Sequence, residues 1–268
     1  MKKAHLLTLA VAASLSSSVA MAHVDVDTDC DVELDGHVKY YKGLLTVEMD
    51  NGDVMTIDKN HTLTINGETV SLSSEQQQWV KDYYSHIDQA IPMTLEIATE
   101  GLHIASVAVS EVFGELLGNN NELVSEFDSM FTDINREMRT HFYDADGNIR
   151  IDSDQYSDNG WFDSYWEEQF EERIESLVAQ SMGQILVAVG TEMMWGDGDM
   201  DEFADRMERF GENIEARVEK QADALEGKAD ALCEVLVKAD VAEEKMQASI
   251  NGLDGLNMLD VDKKHMKM

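Results

Sequence analysis

The sequence predicts an α+β fold: a small N-terminal antiparallel β-meander packed on a mostly helical body with long amphipathic helices. Between residues 24 and 72 apolar and polar residues alternate, the period of a strand with one buried face. From residue 73 the apolar period changes to three and four, that of a helix with one buried stripe. The chain holds a single proline in 268 residues, so little interrupts those helices. Hydrophobic residues make up 43%, enough for a packed core, which excludes a disordered chain. The net charge of −34 excludes nucleic acid as a partner, because phosphate contacts need the opposite sign. Two cysteines exclude a cysteine-rich zinc module or an iron–sulfur protein.

Residues 1–22 read as an address. Lys2 and Lys3 precede an apolar and small-residue stretch over 6–19, and Ala20-Met21-Ala22 fits a small-x-small cleavage site. Cleavage between Ala22 and His23 is expected, which makes the protein an exported, periplasmic one. No later stretch is apolar and long enough to span a bilayer, so no membrane span is expected.

Residues 23–72 form the β-rich region. Val32 and Leu34, Val38 and Tyr40, Leu45, Val47 and Met49, Met55 and Ile57, Leu63 and Ile65, and Val70 and Leu72 continue the alternation. Asp35-Gly36, Asn51-Gly52 and Asn66-Gly67 lie between these runs and suit hairpin turns, whose central residues need positive φ.

Residues 73–250 form the helical body. Ser73 or Ser74 with Gln76 or Gln77 makes a capping box, followed by Trp79, Tyr83, Ile87, Ile91, Leu95, Ala98 and Leu102 on one stripe. Pro92 falls inside this run and is expected to kink or end it. Residues 101–117 are apolar on most sides and read as a buried helix, stopped by Gly118 and three asparagines. A second helix carries Val124, Phe127, Phe131, Ile134 and Met138. A short polar region over 141–160 reads as a hairpin, residues 141–143 facing 149–151. A third helix runs over about 161–191, broken by the acidic, glycine-containing segment 196–201. The last helix repeats Met200, Phe203, Met207, Phe210, Ile214, Val218, Ala222, Leu225, Ala229, Leu232, Leu236 and Ala239 at intervals of three or four. Such a helix is about 60 Å long and needs another long helix beside it, from this chain or a partner. Residues 251–268 lack a period and read as a flexible tail.

Five groups have the residue types of a site. Asp144, Asp146 and Asn148 place hard oxygens two apart around Gly147, as a calcium loop does, with Asp152 and Asp154 following. The glycine is misplaced for an EF-hand and Gln155 stands where a closing glutamate belongs, so a hairpin turn explains the residues better. The acids over 197–202 read as a helix N-terminal cap. Trp161, Phe162, Tyr165, Trp166 and Phe170 read as a core stripe rather than a ligand platform. His265, Met266 and Met268 are soft donors too few to define a copper site. Among 54 carboxylates no acid pair is singled out for hydrolysis. No nucleophile elbow, P-loop, dinucleotide fingerprint or zinc-binding His-Glu-x-x-His is present. No catalytic residue, metal or cofactor is expected.

The order of parts resembles a known family. A leader and an early cysteine precede the β-region. Then come Ser73-Ser74-Glu75-Gln76-Gln77, Tyr83-Tyr84 and Pro92. Later come Ser181-Met182-Gly183-Gln184-Ile185-Leu186, Arg209-Phe210-Gly211-Glu212 and Leu232-Cys233. This resembles the YggN-like family, exported gammaproteobacterial proteins with no assigned function. The resemblance implies the periplasm, an α+β layout and the two-cysteine arrangement. In an oxidising compartment Cys30 and Cys233 are expected to bridge, two buried thiols or an intermolecular bond being the alternatives. The expected function is that of a binding or interaction protein, chaperone-like holding included, with an unknown protein or basic ligand of the envelope as partner. An envelope-acting hydrolase using unidentified carboxylates is the alternative, and a self-associating scaffold a third.

Overall fold

A computed structural model describes residues 32–34, 36–49, 51–118, 120–153, 164–195 and 200–261. Strands β1 (Val32–Leu34), β2 (His37–Tyr41), β3 (Leu44–Glu48), β4 (Val54–Ile57), β5 (Leu63–Ile65) and β6 (Glu68–Thr69) come first. Helices α1 (Ser74–Leu117) and α2 (Glu122–Phe142), strand β7 (Arg150–Asp152), helices α3 (Ser164–Trp195) and α4 (Met200–Ser249), and strand β8 (Leu259–Val261) follow. The class is α+β, as expected.

The meander forms an antiparallel sheet in the order β6-β5-β4-β3-β2-β7. Alternation works as the period predicts. Leu45 and Val47 of β3, Met55 and Ile57 of β4 and Leu63 of β5 are at most 2% exposed. Thr56 and Thr64 pair on the other face at 2.6 Å between hydroxyls. Asn66-Gly67 turns with φ of 51° and 81°, both positive as a type I′ turn needs. Lys42-Gly43, with φ of 51° and 79°, makes an equivalent turn that the expected signals did not include. At Asn51-Gly52 only the glycine is left-handed, because this loop is longer and closes through the Met49 N–H on the Asp53 carbonyl at 2.8 Å.

The hairpin over 141–151 is corrected. Helix α2 runs on to Phe142, leaving one bridge, Tyr143 to Ile149, and β7 extends the sheet along β2, Ile151 opposite Tyr40. Helix α1 begins with the predicted box: the Ser73 backbone N–H donates to Gln76 Oε1 at 2.9 Å, and the Gln76 N–H to Ser73 Oγ at 3.2 Å. Pro92 does not end the helix, which continues to Leu117. Asp88, whose carbonyl loses its partner, and Pro92 are both exposed, so water can take that hydrogen bond. Residues 101–117 are therefore part of α1. They are mostly half-buried, Gly114 alone being buried, because α2 and α4 cover only part of the circumference.

The long helix that α4 requires is α1, running antiparallel to it. Gln76 Nε2 donates to the Ser249 carbonyl at 2.7 Å, Lys228 bridges Glu96 and Glu100, and Arg217 pairs with Glu111. The seam from Phe210 to Leu232 is half-buried; full burial begins at Val235. There the main core joins sheet and helices: Val80, Tyr83 and Ile87 of α1 and Ala239, Ala242 and Met246 of α4 pack on the buried sheet face.

The chain after α4 is not a frayed tail as far as residue 261. Leu253, Leu256, Met258, Leu259 and Val261 are at most 3% exposed, and β8 pairs with β1, Val261 opposite Val32. Each apolar side chain enters the core from a turn or a short strand, so no single period betrays the burial. Residues 262–268 lie outside the described residues.

Candidate functional site

In a chain with 28% charged residues, residues 176–191 carry no Asp, Glu, Lys or Arg. They lie on α3. One face of this segment packs inward: Leu177 is 1% exposed, against Leu123, Phe127 and Met130 of α2, and the Ser181 hydroxyl donates to the Leu177 carbonyl at 2.5 Å. Arg173 holds the preceding turn, donating to Asp133 Oδ2 at 2.7 Å and to the Glu126 carbonyl at 3.4 Å. The Arg173 bond to Asp133, with Arg136 beside it, holds the Asp133 carboxyl below its ordinary range.

The opposite face is bare. Val178, Met182, Leu186 and Val187 are 50%, 65%, 73% and 69% exposed. Val178, Met182 and Leu186 are spaced four apart and so form one stripe. Beside it Leu116, Leu117 and Asn121 at the α1–α2 turn meet Gly183, Gln184 and Val187 of α3 in a shallow groove of about 350 Å³. Acids stand toward one end of it: Glu171, Glu172 and Glu175, in the two turns of α3 before Val178, are exposed, as is Glu115 next to Leu116 in the chain. A contiguous apolar patch rimmed by polar groups is what an interaction surface looks like. Chemically the arrangement can exclude water from an apolar segment and attract cations around it. Its acids sit in solvent.

Sequence reasoning singled out other residues. The Asp144 loop is a tight turn that closes the single Tyr143–Ile149 bridge. Asp144 Oδ1 accepts the N–H of Asp146 at 2.9 Å and of Asn148 at 2.8 Å. Its Oδ2 accepts from Tyr41 Oη and Asn148 Nδ2, each at 2.9 Å, with Lys42 Nζ at 3.7 Å. The Asn148 bonds, before the others, hold its carboxyl far below the ordinary range. A cation here would have to displace these donors and a lysine. Among the described residues no three His, Cys, Asp or Glu are grouped to hold a metal. A cleft of about 750 Å³ beside this loop is lined by Arg139, Tyr143, Asp144 and Arg150. Arg150 there caps α2, donating to the carbonyls of Thr140 and His141 at 3.4 and 3.2 Å.

Cys233 lies half-buried on α4. Cys30, Ala22 and His23, Trp161 and Phe162, the acids at 197 and 199, and His265, Met266 and Met268 lie outside the described residues, as do the side chains of Tyr165, Trp166 and Phe170. The α3 face was missed, because helical spacing alone reads as core. The signal that marks it is the charge-free run.

The family described as a protein of unknown function (DUF2884) matches residues 30–259. The chain belongs to that family. The match to DUF2884 takes in the whole of α3, both cysteines and the chain up to Leu259, the first residue of β8. No curated protein and no solved structure matches the chain. Among the described residues no helix is long and apolar enough to cross a membrane.

Proposed function

We propose that this chain is an exported, periplasmic, non-enzymatic binding protein of the YggN-like kind, and that its α3 face takes a polypeptide segment with apolar side chains flanked by Lys or Arg. The exposed stripe Val178–Met182–Leu186 carries the reading. Apolar area left in water disfavours the free state, and covering it returns roughly 25 cal/mol per Å² before ordering costs. The glutamates in the turns before it and the net charge of −34 favour a basic flank rather than a second acidic copy. The leader over 1–22 supports export. A carboxylate with a raised pKa does exist, Glu243, but it lies in the core rather than in a cleft, which favours binding over hydrolysis.

The test uses the full mature chain and an unfolded basic client. Wild type should suppress the client's aggregation, and Met182→Asp with Leu186→Asp should abolish suppression while leaving the circular dichroism unchanged. Equal suppression by both proteins overturns the reading. So does a wild-type dimer that the same substitutions dissociate, which would assign the face to self-association.

A Cys30–Cys233 bridge belongs to the same proposal. It is supported by the absence of a free cysteine among the described residues and by β1 starting two residues after Cys30. Thiol labelling of denatured, unreduced protein should find no reactive cysteine; two labelled cysteines per chain contradict the bridge.

A further inference from the structure

Glu243 projects from α4 into the main core and is 3% exposed. Its Oε1 accepts the backbone N–H of Met258 at 2.6 Å and of Leu259 at 3.1 Å. One carboxylate thus clamps the chain where it enters β8. Its Oε2 is buried with no hydrogen-bond partner among the described residues. An ionised carboxylate offers about four acceptor positions, so a bare, buried Oε2 is the costly half of the group, and a proton there removes the charge.

The groups facing Glu243 come from each element around it. From α1 the Tyr83 hydroxyl, fully buried, donates to Met258 Sδ at 3.5 Å. From α4 itself comes Asp240, 6% exposed and one turn earlier. From the C-terminal segment come the two N–H groups. None of these is a cation. The ribbon beyond the clamp is thin: β1 and β8 pair over three residues, and Glu33 stands directly opposite Asp260. Like charges opposite each other weaken a strand pair, and an isolated two-stranded ribbon is marginal in water.

We propose that Glu243 is a proton-operated latch on the C-terminal segment: protonated, it keeps residues 256–261 docked and the β1–β8 ribbon closed, and its ionisation loosens them from the core. Burial, with the Asp240 charge adding to it, pushes the Glu243 carboxyl from its ordinary 4.5 up to about 7, against the opposing effect of the Leu259 and Met258 amides and the neighbouring Tyr83 hydroxyl. Because the docked-state value is the raised one, the protonated form's advantage is complete below 4.5 and is lost as pH rises through about 7. That interval caps the change in the opening equilibrium at roughly 300-fold. Opening bares Leu256, Met258, Leu259 and Val261, now at most 3% exposed. The latch is independent of the α3 reading, since it lies in a different cluster of the core.

The experiment is amide hydrogen exchange on the full mature chain across pH 5 to 9, each rate divided by its intrinsic rate. Peptides over 253–261 should open at least tenfold more at the alkaline end, while those over β3 should not. Glu243→Gln, which keeps the acceptor and removes the proton site, should flatten the response. A pH-independent wild type, or an equal rise in Glu243→Gln, overturns the proposal. A carbon-13 titration of the Glu243 carboxyl in wild type covers the case of an unfolded variant: a midpoint near 7 supports the latch, and one near 4.5 overturns it.

Discussion

Leu177 and Leu186 lie on the same charge-free helix nine residues apart, yet the structure gives them opposite energetic roles. Leu186 is 73% exposed, so it makes only about a quarter of the burial a leucine can make. With full burial worth about 2–3 kcal/mol, Leu186→Asp loses about 0.6 kcal/mol of burial. The poorer helix propensity of Asp adds roughly 0.5 kcal/mol, for a total near 1 kcal/mol. Leu177 is 1% exposed against Leu123, Phe127 and Met130. Truncating such a leucine alone costs about 2–5 kcal/mol, and an unpaired buried carboxylate costs several more. A domain of ordinary stability holds about 5–15 kcal/mol, so Leu177→Asp should leave little or no folded protein. Urea melts followed by circular dichroism, at two protein concentrations, measure both. A loss above about 3 kcal/mol for Leu186→Asp, or a midpoint that shifts with concentration, would mean the outer face is covered in the free protein and would refute the reasoning.

Gly252 has a φ of 88°, and a β-carbon there would come within 3.1 Å of Ile65 Cδ1, so Gly252→Ala should cost about 1–2 kcal/mol in the same melts. Ser73→Ala removes the N-cap acceptor and should cost about 1 kcal/mol, and Ser73→Asp should recover most of it. Unfolding free energy measured against pH should fall on both sides of a plateau. On the acid side Asp133, lowered by Arg173, loses its stabilisation as it protonates, and Arg173→Met should reduce that limb. On the alkaline side Glu243, raised to about 7, withdraws stability as it ionises, and Glu243→Gln should reduce that limb.

The strands and the α1 capping box were legible because their signals are local: alternation at Leu45, Val47, Met55 and Ile57, and Ser73 three residues before Gln76. Pro92 signalled a kink or an end, and the helix does not end there, because the rule describes the lost hydrogen bond, not whether water can take it. Residues 251–261 misled for the reverse reason. Their burial comes from docking against α1, α4 and β1, contacts distant in sequence that leave no period. Helix α3 shows the limit most clearly. Residues 177, 178, 181, 182 and 186 all look apolar or small, and only the packing against α2 divides them into a buried edge and a bare stripe. Glu243 was invisible among 54 acids, since nothing local distinguishes the one that meets the Met258 and Leu259 amides.

The most direct test of the central claim is a binding isotherm. A fluorescent peptide with leucines at helical spacing, flanked by lysines, is titrated with the mature chain at low and high salt, and a photo-reactive residue is placed in turn at position 186 and at the exposed position 81. The account predicts saturable binding that weakens with salt, crosslinking from 186 and not from 81, and loss of both signals in Met182→Asp with Leu186→Asp. Unchanged affinity in that double variant, or equal crosslinking from both positions, would contradict it.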